Sequence, residues 1–228
     1  MFAILSAAVA PGFSLLAFVY LKDRFDSEPF SKVLRTFILG ALLVFPIMFI
    51  QYAFEQEGVA QTPFLKSFLL SGALEEFFKW FIFLYAIYKH TEFEGRYDGI
   101  VYGVSISLGF ATVENLLYLL ANGISLAFLR ALFPVSCHAL LGVLMGYYMG
   151  RAKVGAVKNQ YKVLTVALLI PAILHGFYDI VLEVQSSNVI YVLIPFMIML
   201  WFMALHKIKT TNQRRENVIP IEKRKWKA

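Results

Sequence analysis

The stretch VLTVALLIPAILHGFYDIVLEV, residues 163–184, decides the fold, because it is almost entirely apolar and long enough to cross a bilayer. A hydrocarbon core about 30 Å thick needs roughly 17–25 helical residues to cross it. The same stretch carries His175 and Asp179, two ionisable residues at a depth where lipid surrounds an isolated spanning helix. It therefore predicts a membrane helix that turns a polar face toward neighbouring helices.

The composition of the whole chain agrees with this stretch. Of its 228 residues, 59% are hydrophobic and only 16% are charged, and the mean hydropathy is +0.67. Soluble domains carry about 25% charged and about 45–50% apolar residues, so a water-soluble enzyme is excluded. The single cysteine, Cys137, excludes a disulfide scaffold. The net charge of +6 is not gathered with aromatic residues on one domain, which argues against a nucleic-acid partner.

Apolar runs bounded by charged residues predict an all-α, polytopic membrane helix bundle of about seven transmembrane helices. The predicted spans are 2–21, 33–53, 65–88, 99–120, 126–150, 163–184 and 189–205. The connecting loops are short, so residues 1–205 are predicted to form a single membrane domain, followed by a basic cytoplasmic tail at 206–228. The expected location is the cell membrane.

Lysine and arginine alternate between loops and so predict the orientation. Loops 22–32, 89–98 and 151–162 hold three, two and four basic residues, and eight follow residue 205. Loops 54–64, 121–125 and 185–188 hold none. Basic loops face the cytoplasm under the positive-inside rule, so the N-terminus is predicted outside and the C-terminus inside. The basic tail is predicted to bind anionic membrane lipid.

Seven ionisable residues away from the ends of the predicted spans point to one functional site. They are Glu75, Glu76, Lys79, Glu114, His138, His175 and Asp179, with Asn115 as a neutral polar neighbour. An ionisable side chain near the bilayer centre costs about 2.5–3.5 kcal/mol on insertion scales, so seven of them favour a function. At a rise of about 1.5 Å per residue, the depths of the residues other than Lys79 converge on one layer between the midplane and the outer surface, and Lys79 lies slightly deeper.

The spacing within two helices predicts ion pairs. Glu75 and Lys79 are four residues apart, as are His175 and Asp179, which places each pair on one helix face. The second pair predicts an imidazole with one ring nitrogen held by the carboxylate and the other free. The adjacent Glu75 and Glu76 predict a proton-holding carboxyl beside a carboxylate, which suits general acid–base chemistry.

Three features near these residues predict local structure. Pro134 and Pro171 each precede a histidine by four residues and predict helix kinks. The glycine row GxxxGxxxG at 142–150 predicts close helix packing. Arg130, near an outer helix end, is predicted to extend toward the membrane interface.

The residue pattern alone leaves several functions open. Water, two carboxylates and an oriented imidazole suit hydrolysis of a peptide bond in the membrane. A proton-coupled transporter and a non-catalytic membrane sensor or scaffold are alternatives, since intramembrane acids and histidines also build proton relays and structural networks. No metal cofactor is predicted. The alternative is zinc bound by His138, His175 and a carboxylate, to which sequence spacing gives no support because the histidines lie on different helices.

Four runs resemble the PrsW family of intramembrane proteases: EEFFKW at 75–80, FATVEN at 110–115, CHAL at 137–140 and HGFYD at 175–179. The likeness covers nearly the whole chain and extends more distantly to the glutamate-type CAAX-processing endopeptidases of the Abi superfamily. The resemblance implies first-site cleavage of a single-span anti-sigma factor, RsiW, on its extracytoplasmic side. That cut starts the release of an envelope-stress sigma factor.

The resemblance also implies roles for individual residues. Glu75 and Glu76 match the family's paired glutamates, with Glu75 as the water-activating base, and His175 is the third catalytic residue. With Asp179, His175 matches a motif proposed to stabilise the oxyanion.

Two positions depart from the pattern of the CAAX-processing enzymes. Trp80 stands where those enzymes have an arginine, with Lys79 one position short of it, and Glu114 stands where they have a histidine. The second water-activating group is therefore Glu114 or His138. Glu114, Asn115, His138, Asp179 and Lys79 are the predicted supporting residues. No oligomeric state is predicted.

Overall fold

The computed structural model describes residues 1–23, 28–89, 93–155, 157–184 and 188–218, without the side chains of 214–218. These residues form long helices and no strand, which confirms the all-α prediction. The seven helices of this described part are α1 (Phe2–Leu21), α2 (Phe30–Gln56), α3 (63–86), α4 (Arg96–Asn122), α5 (Ile124–Val154), α6 (Gln160–Glu183) and α7 (Val189–Val218).

Six of these helices are long and apolar enough to cross a membrane. The helix that is not among the six is α3, which carries Glu75, Glu76 and Lys79. Residues 63–86 nevertheless rise about 36 Å, which is enough to cross the hydrocarbon core. The chain is thus a multi-pass membrane protein, and its orientation stays a prediction.

Most helices extend beyond the predicted apolar spans, because a helix continues into the polar interface after its apolar run ends. The helix α4 begins at Arg96 instead of residue 99, and α6 begins at Gln160 instead of residue 163. The helix α7 continues from the last predicted span to Val218, so part of the predicted tail is helical. The boundary between domain and tail stays a prediction, and residues 219–228 lie outside the described part of the chain.

The helix α4 lies at the centre of the bundle and packs against α1, α2 and α5. Every residue in 97–112 is buried. Glycines bring the helix axes close together: a Cβ atom on Gly146 would overlap the carbonyl oxygen of Gly99, and one on Gly109 would overlap that of Phe37. The glycine row of α5, which was predicted to pack closely, therefore packs against α4.

The helix α3 changes its winding before it reaches the two adjacent glutamates. It starts with Pro63–Leu65, continues as a π-helix over Lys66–Ala73 and becomes α-helical over Leu74–Ala86. Such π-helical turns occur frequently at functional sites. Within this segment, a Cβ on Gly72 would meet the carbonyl oxygen of Ala172 at 2.5 Å, so the backbones of α3 and α6 are in direct contact.

The two prolines behave differently. Pro134 lies in a π-helical turn, Ala131–Val135, just before α5 becomes regular at Ser136, so the helix is irregular where a kink was predicted. The α-helix continues without interruption through Pro171.

Candidate active site

The structure joins the seven predicted ionisable residues into one cluster. The helix α3 contributes three of them, and α4, α5 and α6 provide the others: Glu114, His138, His175 and Asp179. Each is within 4.0 Å of at least one other member through side-chain nitrogen and oxygen atoms. The seven residues therefore form one cluster across four helices, whereas their depth in the membrane stays a prediction.

Lys79 lies at the centre of this cluster. Its side chain is fully buried, and its ammonium Nζ is 2.7 Å from Glu76 Oε1 and 3.4 Å from Glu75 Oε2. The same nitrogen is 3.1 Å from His138 Nδ1 and 4.2 Å from the centre of the Phe110 ring. The predicted pair of Glu75 and Lys79 is present, but the shorter contact is to Glu76, three residues away on α3.

Glu76 connects α3 to α6. Its Oε1 accepts hydrogen bonds from Lys79 Nζ at 2.7 Å and from His175 Nδ1 at 3.0 Å. Its side chain has no exposed surface, and its Oε2 is buried with no hydrogen-bond partner among the described residues. Lys79 is on α3 itself and contacts His138 of α5, and His175 is on α6, so Glu76 is held between fixed partners.

Glu75 lies at the more open side of the cluster. Its Oε1 accepts a hydrogen bond from Gln51 Nε2 at 3.2 Å, and its Oε2 is 3.9 Å from His175 Nε2. Gln51 also donates to the carbonyl oxygen of Leu70 in the π-helical segment, at 3.0 Å. Sequence analysis missed Gln51, although an amide side chain in an apolar span was a signal that could have identified it.

The prediction that His175 keeps one ring nitrogen free is wrong. Its Nδ1 contacts Glu76 Oε1, and its Nε2 lies 3.5 Å from Asp179 Oδ2 and 3.9 Å from Glu75 Oε2. The predicted pair with Asp179 is present, but α3 supplies two more carboxylates. The reason is the close contact of α3 and α6, which a pattern within one helix does not reveal.

His138 and Glu114, which sequence analysis treated as alternatives, form a pair. His138 Nε2 lies 3.0 Å from Glu114 Oε2, and Nδ1 faces the Lys79 ammonium. An ammonium group only donates, so Nδ1 is the acceptor and Nε2–H donates to Glu114. The two histidine rings of the cluster, His138 and His175, lie with their centres 4.9 Å apart.

Arg130 points into the cluster, so the prediction that it extends toward the interface is wrong. Its Nη2 donates to Glu114 Oε1 at 3.2 Å, its Nε donates to Asn115 Oδ1 at 2.9 Å, and its guanidinium lies 4.0 Å from the centre of the Tyr118 ring. Asn115 in turn donates to the carbonyl oxygen of Ala8 at 3.1 Å. Asn115 thus holds Arg130 in place and ties α4 to α1.

The exposed fraction of the carboxylates falls steeply across the cluster. The side chain of Glu114 is 36% exposed, that of Asp179 is 24% exposed and that of Glu75 is 11% exposed, whereas Glu76 has none. Glu75 is therefore partly accessible, like Glu114 and Asp179, while Glu76 is closed off.

An apolar groove lies beside Glu75 between α3 and α6. Its volume is about 490 Å³, and its wall includes Ala73 and Phe77 of α3, Leu169 and Ala172 of α6, and Phe54 of α2. Ala73 precedes Glu75 by two residues and Ala172 precedes His175 by three, so along α3 and α6 the groove lies within about one helical turn of these two residues. It is wide enough for apolar side chains.

Four members of the cluster could hold a metal ion by the chemistry of their donor atoms. One donor atom from each of Glu75, Glu76, His138 and His175 lies within 4.8 Å of the others, and catalytic zinc uses imidazole and carboxylate ligands. However, Lys79 Nζ lies among these donors and contacts three of the four residues. A zinc ion about 2.0–2.2 Å from the same atoms would overlap this nitrogen. The arrangement observed does not fit a divalent metal.

Comparisons with known proteins identify the family. The family described as PrsW family intramembrane metalloprotease matches residues 28–205. The chain is 56% identical over 209 residues to "Protease PrsW" of Bacillus subtilis, covering 92% of this chain and 95% of that protein. It is 52% identical over 213 residues to "Protease PrsW" of Halalkalibacterium halodurans, covering 93% and 99%.

A third relative, "Protease PrsW" of Geobacillus kaustophilus, is 50% identical over 224 residues, covering 97% of this chain and 99% of that protein. No solved structure gives a significant match. The buried acid and histidine cluster is thus found in a peptidase, which favours the enzyme over the transporter and the scaffold. The chain belongs to the PrsW family of intramembrane proteases.

Proposed function

We propose that this chain makes the first cut, on the extracytoplasmic side, in a single-span anti-sigma factor of the RsiW type. The cut starts the regulated proteolysis that releases an envelope-stress sigma factor. The observation that carries the proposal is the position of Glu75, the partly accessible carboxylate of the polar cluster, within about one helical turn of an apolar groove. The predicted orientation places this position in the outer half of the membrane.

Glu75 is the water-activating base in the proposed reaction. Its Oε2 and His175 Nε2 are 3.9 Å apart on the accessible side, and a water molecule bound between them can reach a peptide carbonyl. Glu75 takes a proton from this water as its oxygen bonds to the carbonyl carbon. Gln51 holds Oε1 and so directs Oε2 toward the water.

His175 stabilises the oxyanion that forms on the carbonyl oxygen. Flanked by the carboxylates of Glu75, Glu76 and Asp179, it carries a proton on each ring nitrogen, and Nδ1–H donates to Glu76. Nε2–H faces Asp179 Oδ2 at 3.5 Å and Glu75 Oε2 at 3.9 Å, and in the proposed reaction it exchanges these longer contacts for the developing negative charge. Glu76 and Asp179 orient the ring and do not contact the substrate.

Proton transfer completes the proposed reaction. As the tetrahedral intermediate collapses, the carbon–nitrogen bond breaks, and the proton held by Glu75 passes to the leaving amine. The pair of His138 and Glu114 lies at the water-accessible side of the cluster and supports this step by keeping Lys79 and the entering water in position. None of these steps requires a metal ion.

The apolar groove between α3 and α6 is the proposed binding surface for the substrate's membrane segment. An apolar peptide in this groove passes Ala73 and Ala172 and so reaches Glu75 without leaving the hydrocarbon layer. The cut falls where the segment meets the polar cluster, at the outer part of the groove. This geometry favours a single-span substrate that approaches from the side.

A reconstituted cleavage assay tests the proposal. The purified full chain is placed in proteoliposomes with a single-span anti-sigma factor, and mass spectrometry locates the cut. The matched substrate has the same membrane segment but an unrelated sequence on its outer side. We expect one cut on the outer side of the anti-sigma factor only. A cut on the cytoplasmic side, equal cleavage of both substrates or no product from a well-folded protein would overturn the proposal.

A further inference from the structure

The buried ammonium at the centre of the cluster has no assigned role in the family's description as metalloproteases. We infer that Lys79 is the resident cation of this site, that its ammonium occupies the position a divalent metal would need, and that the peptidase site works without a bound metal ion. That the peptidase site works without a metal ion rests on the proposed function. The identity and the position of the cation concern only the folded chain.

The contacts of Lys79 are those expected of a bound cation. Its Nζ lies 2.7 Å from Glu76 Oε1, 3.4 Å from Glu75 Oε2 and 3.1 Å from His138 Nδ1, three of the four residues that could hold a metal. The face of the Phe110 ring, with its centre 4.2 Å from the nitrogen, closes another side. Two carboxylates, one imidazole lone pair and one aromatic face thus surround the ammonium.

Burial makes a cation at this position necessary. Glu75 and Glu76 are adjacent in sequence, and Glu76 and Lys79 have no exposed side-chain surface. Removing one partner of a buried ion pair costs about 3–5 kcal/mol, because it leaves an uncompensated charge. The ammonium supplies the positive charge within the chain itself, and a second cation among the same donors would meet both steric overlap and charge repulsion.

Substituting Lys79 should therefore create a metal site. In Lys79→Met the unbranched apolar side chain fills the space of the lysine stem but leaves the position of the ammonium empty. The donors of Glu75, Glu76, His138 and His175 then lie within 4.8 Å of one another with no ammonium among them, and zinc binding releases one ring proton of His175. Zinc binds such a donor set readily.

The test measures metal content on the purified full chain. Wild type, Lys79→Met and the control Lys162→Met, which removes an exposed lysine at the start of α6, are purified in detergent from cells grown with added zinc. Inductively coupled plasma mass spectrometry then gives the zinc per chain. We expect far less than one zinc per chain in the wild type and the control, and about one in Lys79→Met.

Each outcome decides the inference. One zinc per wild-type chain would overturn it, as would a folded Lys79→Met variant that binds no more zinc than the wild type. If Lys79→Met aggregates on size-exclusion chromatography, Lys79→Gln and the wild-type zinc content give the answer. Wild-type cleavage should also survive dialysis against a strong chelator. Failure of the proposed function appears separately, as absence of cleavage by a protein whose metal content is as expected.

Discussion

Replacing Glu76 with glutamine removes the charge that ties α3 to α6. In the folded protein, Glu76 Oε1 accepts from Lys79 at 2.7 Å and from His175 at 3.0 Å, and both Glu76 and Lys79 lack exposed side-chain surface. Breaking such a buried pair on one side costs about 3–5 kcal/mol. For a protein of this size, each kcal/mol lowers the melting temperature by roughly 2–4 °C, so we expect a fall of about 6–20 °C.

The assay is thermal melting of the detergent-solubilised chain, with Glu55→Gln as the matched control. Glu55 pairs with Lys66 at 2.8 Å, but both side chains are about half exposed. Exposed pairs contribute about 0–1 kcal/mol, so the control should melt within about 4 °C of the wild type. A Glu76→Gln variant that also melts within this interval would refute the reasoning.

A double substitution separates charge loss from lost packing. The variant Glu76→Gln/Lys79→Met is melted in the presence of chelator. Its two substitutions remove the buried ammonium of Lys79 together with the charge of one carboxylate that contacts it. Because removing both partners of a buried pair costs less than removing one, the double variant should lose less stability than the two single variants summed. An additive result would show that the two charges do not depend on one another.

Three further predictions concern other parts of the molecule. Gly72→Val should separate α3 from α6 and abolish cleavage, since even a Cβ there meets Ala172 O at 2.5 Å; cleavage near the wild-type rate would contradict it. A photo-crosslinker at Leu169 should capture the substrate segment, whereas one at the exposed Ile198 of α7 should not. Burial raises the pKa of Glu28 to about 7, so stability should fall as pH rises from about 4.5 to 7, and Glu28→Gln should flatten this dependence in melting curves.

Much of the fold was predictable because the membrane imposes simple rules. Apolar runs long enough to cross the bilayer predicted the helices, and the glycine row at 142–150 predicted close packing of α5, although not that α4 is its partner. The ends of the helices were not predictable from hydropathy, because α7 continues to Val218 through polar residues that form helix as well as apolar ones.

The residues that form the cluster were predictable from the free-energy cost of placing ionisable side chains in lipid. The contacts between them were not predictable. Ionisable residues in lipid need partners, so their shared depth predicted one site. Depth arithmetic assumes straight, regular helices, whereas the π-helical segment Lys66–Ala73 shifts the face that Glu76 presents to α6. Contacts between helices, such as Gln51 with Glu75 and Arg130 with Glu114, leave no periodic signal in the sequence.

The central claim is that Glu75 activates the water, and the single-turnover cleavage rate of Glu75→Gln in proteoliposomes tests it most directly. The substitution keeps the shape of the side chain and leaves the contact of Glu76 with Lys79 and His175 intact. We expect the rate to fall about 10²–10⁴-fold, the range for loss of a general base, while the melting temperature falls less than that of Glu76→Gln. A folded Glu75→Gln protein that cleaves within tenfold of the wild-type rate would contradict the account.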